Sequence, residues 1–463
     1  MKRIVFCGFR GTGKTEVGKI VAAKTGLPFL DTDTRIEQQT GRSIPDIFHE
    51  DGEERFREEE RKVIAGLPGS GAVISTGGGV VTDPVNMEHL RRDSVMVVLH
   101  ADIDTIEARL SKKPRPPLTG LPLREEIATM MDRRRQHYHA AADFCIDTSE
   151  TTPEAAAAAV MGLLAKGNIP DRHRAPCISF FKTGRIPPKC MERLMKVLDD
   201  NPPDPLTRLM GVAGYPCAHS KGPRLFNALF DVYGLDYHYT LFEDPELDEI
   251  LRVARHLDVK GLSVTIPFKQ EIIPLIDEVD EHAAQQIGAV NTVVFACGTT
   301  RGYNTDWIGV RKPLVDLKGS KAVLLGAGGA AAGAAFALVD LDMDTTILNR
   351  TPEKARVMAE RFGCKWGELS DFDTIKPDVV VNSTPIGMNP GDRSPLRDDQ
   401  LQKGMTVFDL VYTPPVTPLI EAARKAGCTT ITGTEMFIGQ AREQFYLFFG
   451  IDVPAEKIRE LLP

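Results

Sequence analysis

The sequence has no C-x-x-C pair, and its eight cysteines are scattered from Cys7 to Cys428. That spacing excludes a zinc ribbon and points to free thiols in a reducing compartment, not to a disulfide frame. Basic excess is also missing. A net charge of -8, with no strongly basic segment and no helix-turn-helix pattern, argues against a nucleic-acid partner. No apolar run reaches membrane-spanning length, and the first residues run directly into a strand, so a cytoplasmic protein without membrane contact is expected. No ligand cluster supports a metal beyond Mg²⁺, and nothing in the sequence settles the oligomeric state.

At 463 residues, 42% hydrophobic and 26% charged, the chain has the composition of a globular protein. A prior of about 150 residues per domain suggests about three folding units. The first loop, GFRGTGKT from Gly8 to Thr15, fills every fixed position of G-x-x-x-x-G-K-S/T. An apolar strand (Arg3 to Phe6) precedes it, and a helical pattern (Glu16 to Ala23) follows. Gly11, Thr12 and Gly13 would turn backbone N–H groups toward a phosphate chain at a helix N-terminus. Lys14 adds a point charge for the outer phosphates, and Thr15 offers a hydroxyl to Mg²⁺. ATP and Mg²⁺ are the cofactors this implies.

Up to about residue 165, short apolar runs (Ala72 to Ser75, Val95 to Leu99, Phe144 to Asp147) alternate with helical patterns, as in a parallel sheet covered by helices. Asp31 and Asp33 follow a second strand at Pro28 to Leu30. They serve either as helix N-caps or as carboxylates for Mg²⁺ and an acceptor hydroxyl. The Glu53 to Lys62 run reads as a solvated helix face, yet it contains Arg57, an arginine fork suited to a carboxylate. Gly77 to Gly79 is a turn, or a place where backbone N–H groups approach a small ligand. KKPRPPLTG, Lys112 to Gly120, reads as a stiff basic loop that brings Arg115 over phosphate. In this order, with Arg134 and Tyr138 after the lid and TGRSIPDIF at Thr40 to Phe48, these features resemble shikimate kinase. The resemblance implies that Asp33 contacts the phosphate-accepting hydroxyl and that Arg57 and Arg134 hold the shikimate carboxylate. It also implies backbone contacts from Gly78 and Gly79, closure by Arg115, and Mg²⁺ positioning by Asp31 through its hydration shell. Lys14, Asp33 and Arg115 would be the catalytic groups. The lid reads R-P-P-L where the family has R-P-L-L, which leaves the adenine contacts, including Arg109, open.

Residues 166–206 hold a run of prolines and one helical pattern, Lys189 to Leu198, and read as a semi-rigid linker. Beyond it, KAVLLGAGGAAAGAAFAL (Lys321 to Leu338) is a strand, a glycine turn and an Ala-rich helix, with Gly326, Gly328, Gly329 and Ala330 at the turn. The next strand ends in Asn349, Arg350 and Thr351. An arginine there suits the 2′-phosphate of NADP where NAD would favour an acid. Hydride transfer to a carbonyl needs a proton donor. Lys269 in SVTIPFK and Asp306 in GYNTDW are the candidates; as isolated residues they are a surface lysine and an N-cap.

GYPCAHSKGP, SVTIPFK, GAVNT, GYNTD, GAGGAA, NRT, VNSTPIGM, DLVY and TGTEMFIGQA stand in the order found in shikimate dehydrogenase, over about 255 residues. The resemblance implies a substrate lobe at 207–308 and 435–463 with an NADP lobe at 309–434, after a kinase-like domain at 1–165. Lys269 and Asp306 would be the catalytic pair. Thr265, Asn291 and Gln440 would meet ring hydroxyls, and Ser220 and Tyr412 the carboxylate. Asn349, Arg350, Thr351 and Lys354 would bind the adenosine phosphate; Thr384, Gly433 and Met436 would line the nicotinamide end. Gly222 departs from the family's second serine, which opens room for quinate. The expectation is an α/β protein, a P-loop sheet followed by a two-lobed dehydrogenase, that reduces 3-dehydroshikimate with NADPH and phosphorylates shikimate with MgATP. The alternatives are a quinate or dual quinate/shikimate dehydrogenase in the second half, and a ligand-sensing regulator with degenerate catalytic domains.

Overall fold

The computed structural model describes residues 2–112, 119–166, 208–218, 220–281 and 284–462. Arg115 and nearly all of the proline-rich linker, including the helical pattern at Lys189 to Leu198, lie outside them. In the N-terminal half, the apolar runs become five parallel strands: β1 (Arg3–Cys7), β2 (Phe29–Asp31), β3 (Val73–Ser75), β4 (Ser94–His100) and β5 (Phe144–Asp147). Their order is β2-β3-β1-β4-β5. All five residues of β1 are buried, because helices cover both faces of a parallel sheet. Two apolar cores result, one around Val5, Ile74 and Val98, the other around Phe6, Val97 and Leu99. The order reverses at β1, so the loops after β1, β2 and β3 open on one edge, where ligands collect in such sheets.

The C-terminal half has two sheets. The first is mixed: β6 (Arg208–Gly214), β7 (Tyr237–Glu243), β8 (Gly261–Val264), β9 (Glu278–Val279), β10 (Thr292–Ala296) and β11 (Thr299–Tyr303), in the order β7-β6-β8-β10-β11-β9. The second is wholly parallel: β12 (Lys321–Leu325), β13 (Asp344–Leu348), β14 (Lys365–Gly367), β15 (Val379–Asn382), β16 (Thr406–Asp409) and β17 (Thr429–Ile431). Its order, β14-β13-β12-β15-β16-β17, is the doubly wound arrangement. The helices Asp306–Arg311 and Gly433–Phe449 meet at a glycine pair. A Cβ on Gly439 would lie 2.8 Å from the Gly309 Cα, so only glycine allows this crossing. Among the described residues no helix is long and apolar enough to cross a membrane.

The two halves share a polar seam. Helix Leu123–Ala141 packs against helix Gly433–Phe449 and β10. Each half caps a helix of the other. The Lys260 ammonium donates to the carbonyls of His139 (2.7 Å), Ala142 (2.6 Å) and Ala140 (3.4 Å), at the end of helix Leu123–Ala141. In return Arg91 Nε donates to the Phe449 carbonyl at 2.8 Å, and its Nη2 to that of Ala140. A cation at a helix C-terminus satisfies orphan carbonyls and meets the negative end of the dipole. Asp143 sits between them: Arg208 Nη1 donates to its carbonyl (2.6 Å) and the Tyr237 phenol to its Oδ1 (2.5 Å). Burial opposes its negative charge, but Arg91, Arg208 and Tyr237 outweigh burial and hold its pKa below the ordinary value.

The expectation of free thiols fails at this seam. Cys145 of β5 and Cys297, in the turn between β10 and β11, form a disulfide with Cα atoms 5.0 Å apart. Spacing cannot reveal it, because the partners lie 152 residues apart and meet only when the halves dock. Cys7, Cys217, Cys364 and Cys428 are free thiols.

Candidate active sites

The loop after β1 is shaped by glycine. A Cβ on Gly8 would stand 2.1 Å from the Leu99 carbonyl oxygen, and Gly11 and Gly13 adopt φ of 87°. Helix Lys14–Thr25 starts at that point, so its free N–H groups face the opening. Lys14 Nζ donates to the carbonyls of Gly8 (2.8 Å) and Phe9 (3.0 Å). Asp31 is the N-cap: its Oδ1 caps helix Thr32–Thr40 through the Thr34 N–H, while its Oδ2 accepts from the Thr15 hydroxyl at 3.0 Å.

One cavity of about 1140 Å³ joins this loop to Asp33, Arg57, Gly77, Gly78, Gly79 and Arg134. The glycine loop is packed against the groups it serves. A Cβ on Gly77 would lie 2.8 Å from Asp33 Oδ1, and one on Gly79 would lie 2.6 Å from Arg57 Nη2. Arg134 Nη1 is 3.7 Å from the corresponding position on Gly78. Tyr138, one turn after Arg134, donates to the Gly78 carbonyl at 2.7 Å and so fixes the loop. Burial pushes its phenol up to about 12, which keeps it a donor.

Sequence reasoning missed Glu60. It lies in the run expected to be a solvated face, yet it is buried and accepts from Arg57 Nη1 at 2.8 Å. Glu53 takes the other side of the guanidinium at 3.0 Å, so the fork is aimed by two carboxylates. Burial raises the Glu60 pKa, with Arg57 pulling the other way. Gly52, at φ 83°, kinks helix Ile44–Ala65 just before this run and was the available signal. Arg109 Nη1 donates to the Gly11 carbonyl (3.2 Å), which places it beside the phosphate loop.

In the C-terminal half, Lys269 Nζ donates to Asp306 Oδ2 at 2.6 Å. Asp306 is not the N-cap: Thr305 holds that position, and Asp306 opens the helix with its carboxylate turned to Lys269. Its Oδ1 accepts from Asn291 Nδ2 at 2.9 Å. Asn291 Nδ2 also donates to Thr305 Oγ1, so both its N–H groups are engaged inside the protein. Thr265 follows β8, its methyl packed on Gly214, where a Cβ would come within 2.3 Å. Ser220 Oγ accepts from the Gly222 N–H at 3.2 Å, at the start of helix Gly222–Tyr233. Tyr412 stacks near Phe437 and under the Lys221 ammonium, 5.5 Å from its ring centre. Burial raises its phenol pKa, and the charges of Lys269 and Asp306 reach it as well. Gln440 lies on helix Gly433–Phe449, which carries Gly433 and Met436 at its start.

The turn after β12 fits a dinucleotide. Gly326, at φ 105°, tucks under Ser383, while Gly328, Gly329 and Ala330 are exposed at the start of helix Gly329–Asp340. A Cβ on Gly328 or Gly329 would meet nothing within 4 Å, which leaves backbone N–H groups open to a pyrophosphate. Arg350 and Lys354 are exposed beyond β13, and Asn349 Nδ2 donates to the Thr351 carbonyl at 2.9 Å. Thr384 is held by a network the sequence did not reveal: its hydroxyl donates to Asn382 Oδ1 (2.7 Å), and Asn382 Nδ2 donates to the buried Asp409 (2.9 Å).

Comparison with known families agrees along the chain. The family model for shikimate kinase matches residues 10–165. The shikimate dehydrogenase substrate binding domain matches 212–293, shikimate / quinate 5-dehydrogenase 310–432, and the shikimate 5'-dehydrogenase C-terminal domain 433–462. A shikimate dehydrogenase (NADP(+)) of Methanopyrus kandleri is 39% identical over 277 residues, which cover 56% of this chain and 95% of that protein. A crystal structure of a shikimate dehydrogenase in complex with NADP⁺ superposes with a TM-score of 0.53 at 37% identity, over 56% of this chain and 96% of that one. The quinate dehydrogenase of Corynebacterium glutamicum in complex with NAD reaches a TM-score of 0.52 at 33% identity, over 55% and 98%.

Proposed function

This chain belongs to the shikimate dehydrogenase family and carries a shikimate kinase domain ahead of it, and we propose that it catalyses two consecutive reactions. The C-terminal half reduces 3-dehydroshikimate to shikimate with NADPH, and the N-terminal half phosphorylates shikimate with MgATP. The observation that carries the reading furthest is the Lys269–Asp306 ion pair at 2.6 Å. It joins the proton donor that carbonyl reduction requires to a carboxylate that orients it.

When bound, NADPH supplies the hydride and ATP the phosphoryl group. Lys269 gives its proton to the oxygen that becomes the hydroxyl, and Asp306 holds it toward that oxygen. Ser220 and Tyr412 meet the carboxylate, and Thr265 and Gln440 the ring hydroxyls, while Asn291, whose amide N–H groups are taken by Thr305 and Asp306, holds Asp306 instead of the substrate. Exposed Gly328 to Ala330 take the pyrophosphate, Arg350 and Lys354 the 2′-phosphate, and Thr384 and Met436 border the nicotinamide. In the kinase half, Asp33 takes the proton of the accepting hydroxyl, while Arg57 and Arg134 hold the substrate carboxylate beside the glycine loop. Lys14 and the helix N-terminus balance phosphate charge, and Thr15 with Asp31 would hold Mg²⁺. Arg115 as a lid rests on the family resemblance.

Gly222 supports a second reading, a quinate preference in the dehydrogenase half, because only the Ser220 hydroxyl is left at that helix start. NADP⁺ reduction by the full-length chain, with shikimate and separately with quinate, decides between them; ADP release with shikimate and MgATP tests the other half. Efficient turnover of shikimate in both assays is expected. Turnover of quinate alone would overturn the consecutive-step reading. Binding without turnover in either half would favour a sensor.

A further inference from the structure

A chain of buried hydrogen bonds ends on the Lys269–Asp306 pair, and its direction is set at every link. The Tyr239 phenol donates to Ser263 Oγ (2.6 Å), and Ser263 Oγ donates to Gln444 Oε1 (2.8 Å). Gln444 Nε2 donates to Thr292 Oγ1 (2.9 Å), which leaves the Thr292 hydroxyl to donate to Asn291 Oδ1 (2.8 Å). Asn291 Nδ2 then donates to Asp306 Oδ1 (2.9 Å), and the other Asp306 oxygen takes Lys269. Tyr239, Thr292, Asn291 and Gln444 are each at most 2% exposed, so water does not compete for these groups. Gln444 Nε2 also donates to the Asn291 backbone carbonyl (3.2 Å), which can only accept, and this fixes the carboxamide so that the Thr292 hydroxyl accepts from it and points at Asn291 Oδ1.

We propose that Gln444 is a positioning residue for the reductase reaction: through Thr292 it fixes the Asn291 amide and so the rotamer of Asp306 that holds Lys269. The inference rests on the dehydrogenase reading above. Gln444 stands one turn after Gln440 on helix Gly433–Phe449, so one helix presents both the substrate contact and the support of the catalytic pair. Leucine at 444 would fill the space but leave Thr292 free to turn its hydroxyl away from Asn291. Asn291 Oδ1 would then keep the Thr305 N–H (2.8 Å) but lose its second restraint, which loosens the amide that holds the Asp306 carboxylate.

The test is steady-state NADP⁺ reduction by the full-length chain with shikimate, comparing Gln444→Leu, Thr292→Val and Thr292→Ser. Loss of one such bond predicts a fall in kcat of about tenfold for Gln444→Leu and Thr292→Val, with KM for NADP⁺ unchanged and most of the rate restored in Thr292→Ser. ATP-dependent phosphorylation by the same molecules reports that each variant is folded. Should Gln444→Leu fail to fold, the two Thr292 variants decide alone. Wild-type kcat in Thr292→Val, or equal loss in both Thr292 variants, would overturn the inference while leaving the dehydrogenase reading intact. A wild-type chain inactive on shikimate would overturn both.

Discussion

Lys260 of the dehydrogenase half donates to the backbone carbonyl of Ala142 in the kinase half at 2.6 Å, and so closes the helix that carries Arg134 and Tyr138. Burial drives the Lys260 pKa well below its ordinary value, and Arg91 and Arg208 add to that. The folded chain therefore holds this proton less tightly than the unfolded chain. Between the lowered pKa and the ordinary one, the unfolded state binds more protons, so stability rises with pH by up to about 1.4 kcal/mol per unit. Melting temperature followed as pH rises toward the ordinary lysine range should show this rise in the wild type and lack it in Lys260→Met. Equal slopes would mean that Lys260 is not the group responsible.

The Cys145–Cys297 bond ties β5 of the kinase to a hairpin turn of the dehydrogenase. Closing so long a loop removes about 5 kcal/mol of unfolded-chain entropy at 25 °C in the chain-entropy treatment. Reductant should lower the melting temperature of the wild type and leave that of Cys297→Ser unchanged. Thiol titration counts the two extra thiols that should appear on reduction.

Neighbouring glycines of the kinase loop should fail in different ways. In Gly77→Ala the new methyl sits 2.8 Å from Asp33 Oδ1, so Asp33, proposed to meet the accepting hydroxyl, is displaced and kcat should fall. In Gly79→Ala it sits 2.6 Å from Arg57 Nη2, so Arg57, the proposed carboxylate clamp, moves and KM for shikimate should rise. Loss of a charged hydrogen bond sets the scale of each effect at about tenfold or more. Shikimate oxidation by the same proteins should stay at the wild-type rate.

Gly222→Ser restores a hydroxyl beside Ser220, but its Cβ meets Tyr239 Cε1 and Ser220 Oγ, both at 3.2 Å. A hydroxyl donated to a carboxylate outweighs a contact that tight, so KM for shikimate should fall by about threefold, less than the bond alone would give. A higher KM in the variant would show that Gly222 is there to make room for the Tyr239 phenol.

Much of the fold and of the family likeness was legible because its motifs are local. The phosphate loop, the Asn349 and Arg350 that follow β13, and the Lys269 and Asp306 motifs all sit in short segments whose neighbours define them. Strand limits shifted by a residue or two, as in β2, which runs Phe29–Asp31 where Pro28 to Leu30 was expected. What stayed hidden depends on partners far away in sequence. Glu60 looked solvated until the kinked helix folded it under Arg57, and nothing near Gln444 announces its link to Asn291, 153 residues before it. Asp306 looked like a cap because the residue before it, Thr305, takes that place only once the helix has formed.

The exchanged caps at the seam give each catalytic unit buried hydrogen-bond partners that belong to the other. A dehydrogenase produced alone would strip Lys260 of the three carbonyls it meets and leave the Phe449 carbonyl without Arg91; a kinase produced alone would lose the closure of the helix that carries Arg134. Cutting the chain between the halves is therefore not neutral, and the two activities should decay together on heating. Inheritance follows the same logic: a substitution at the seam burdens both steps at once, so the two enzymes drift in stability as one heritable unit with a fixed one-to-one dosage.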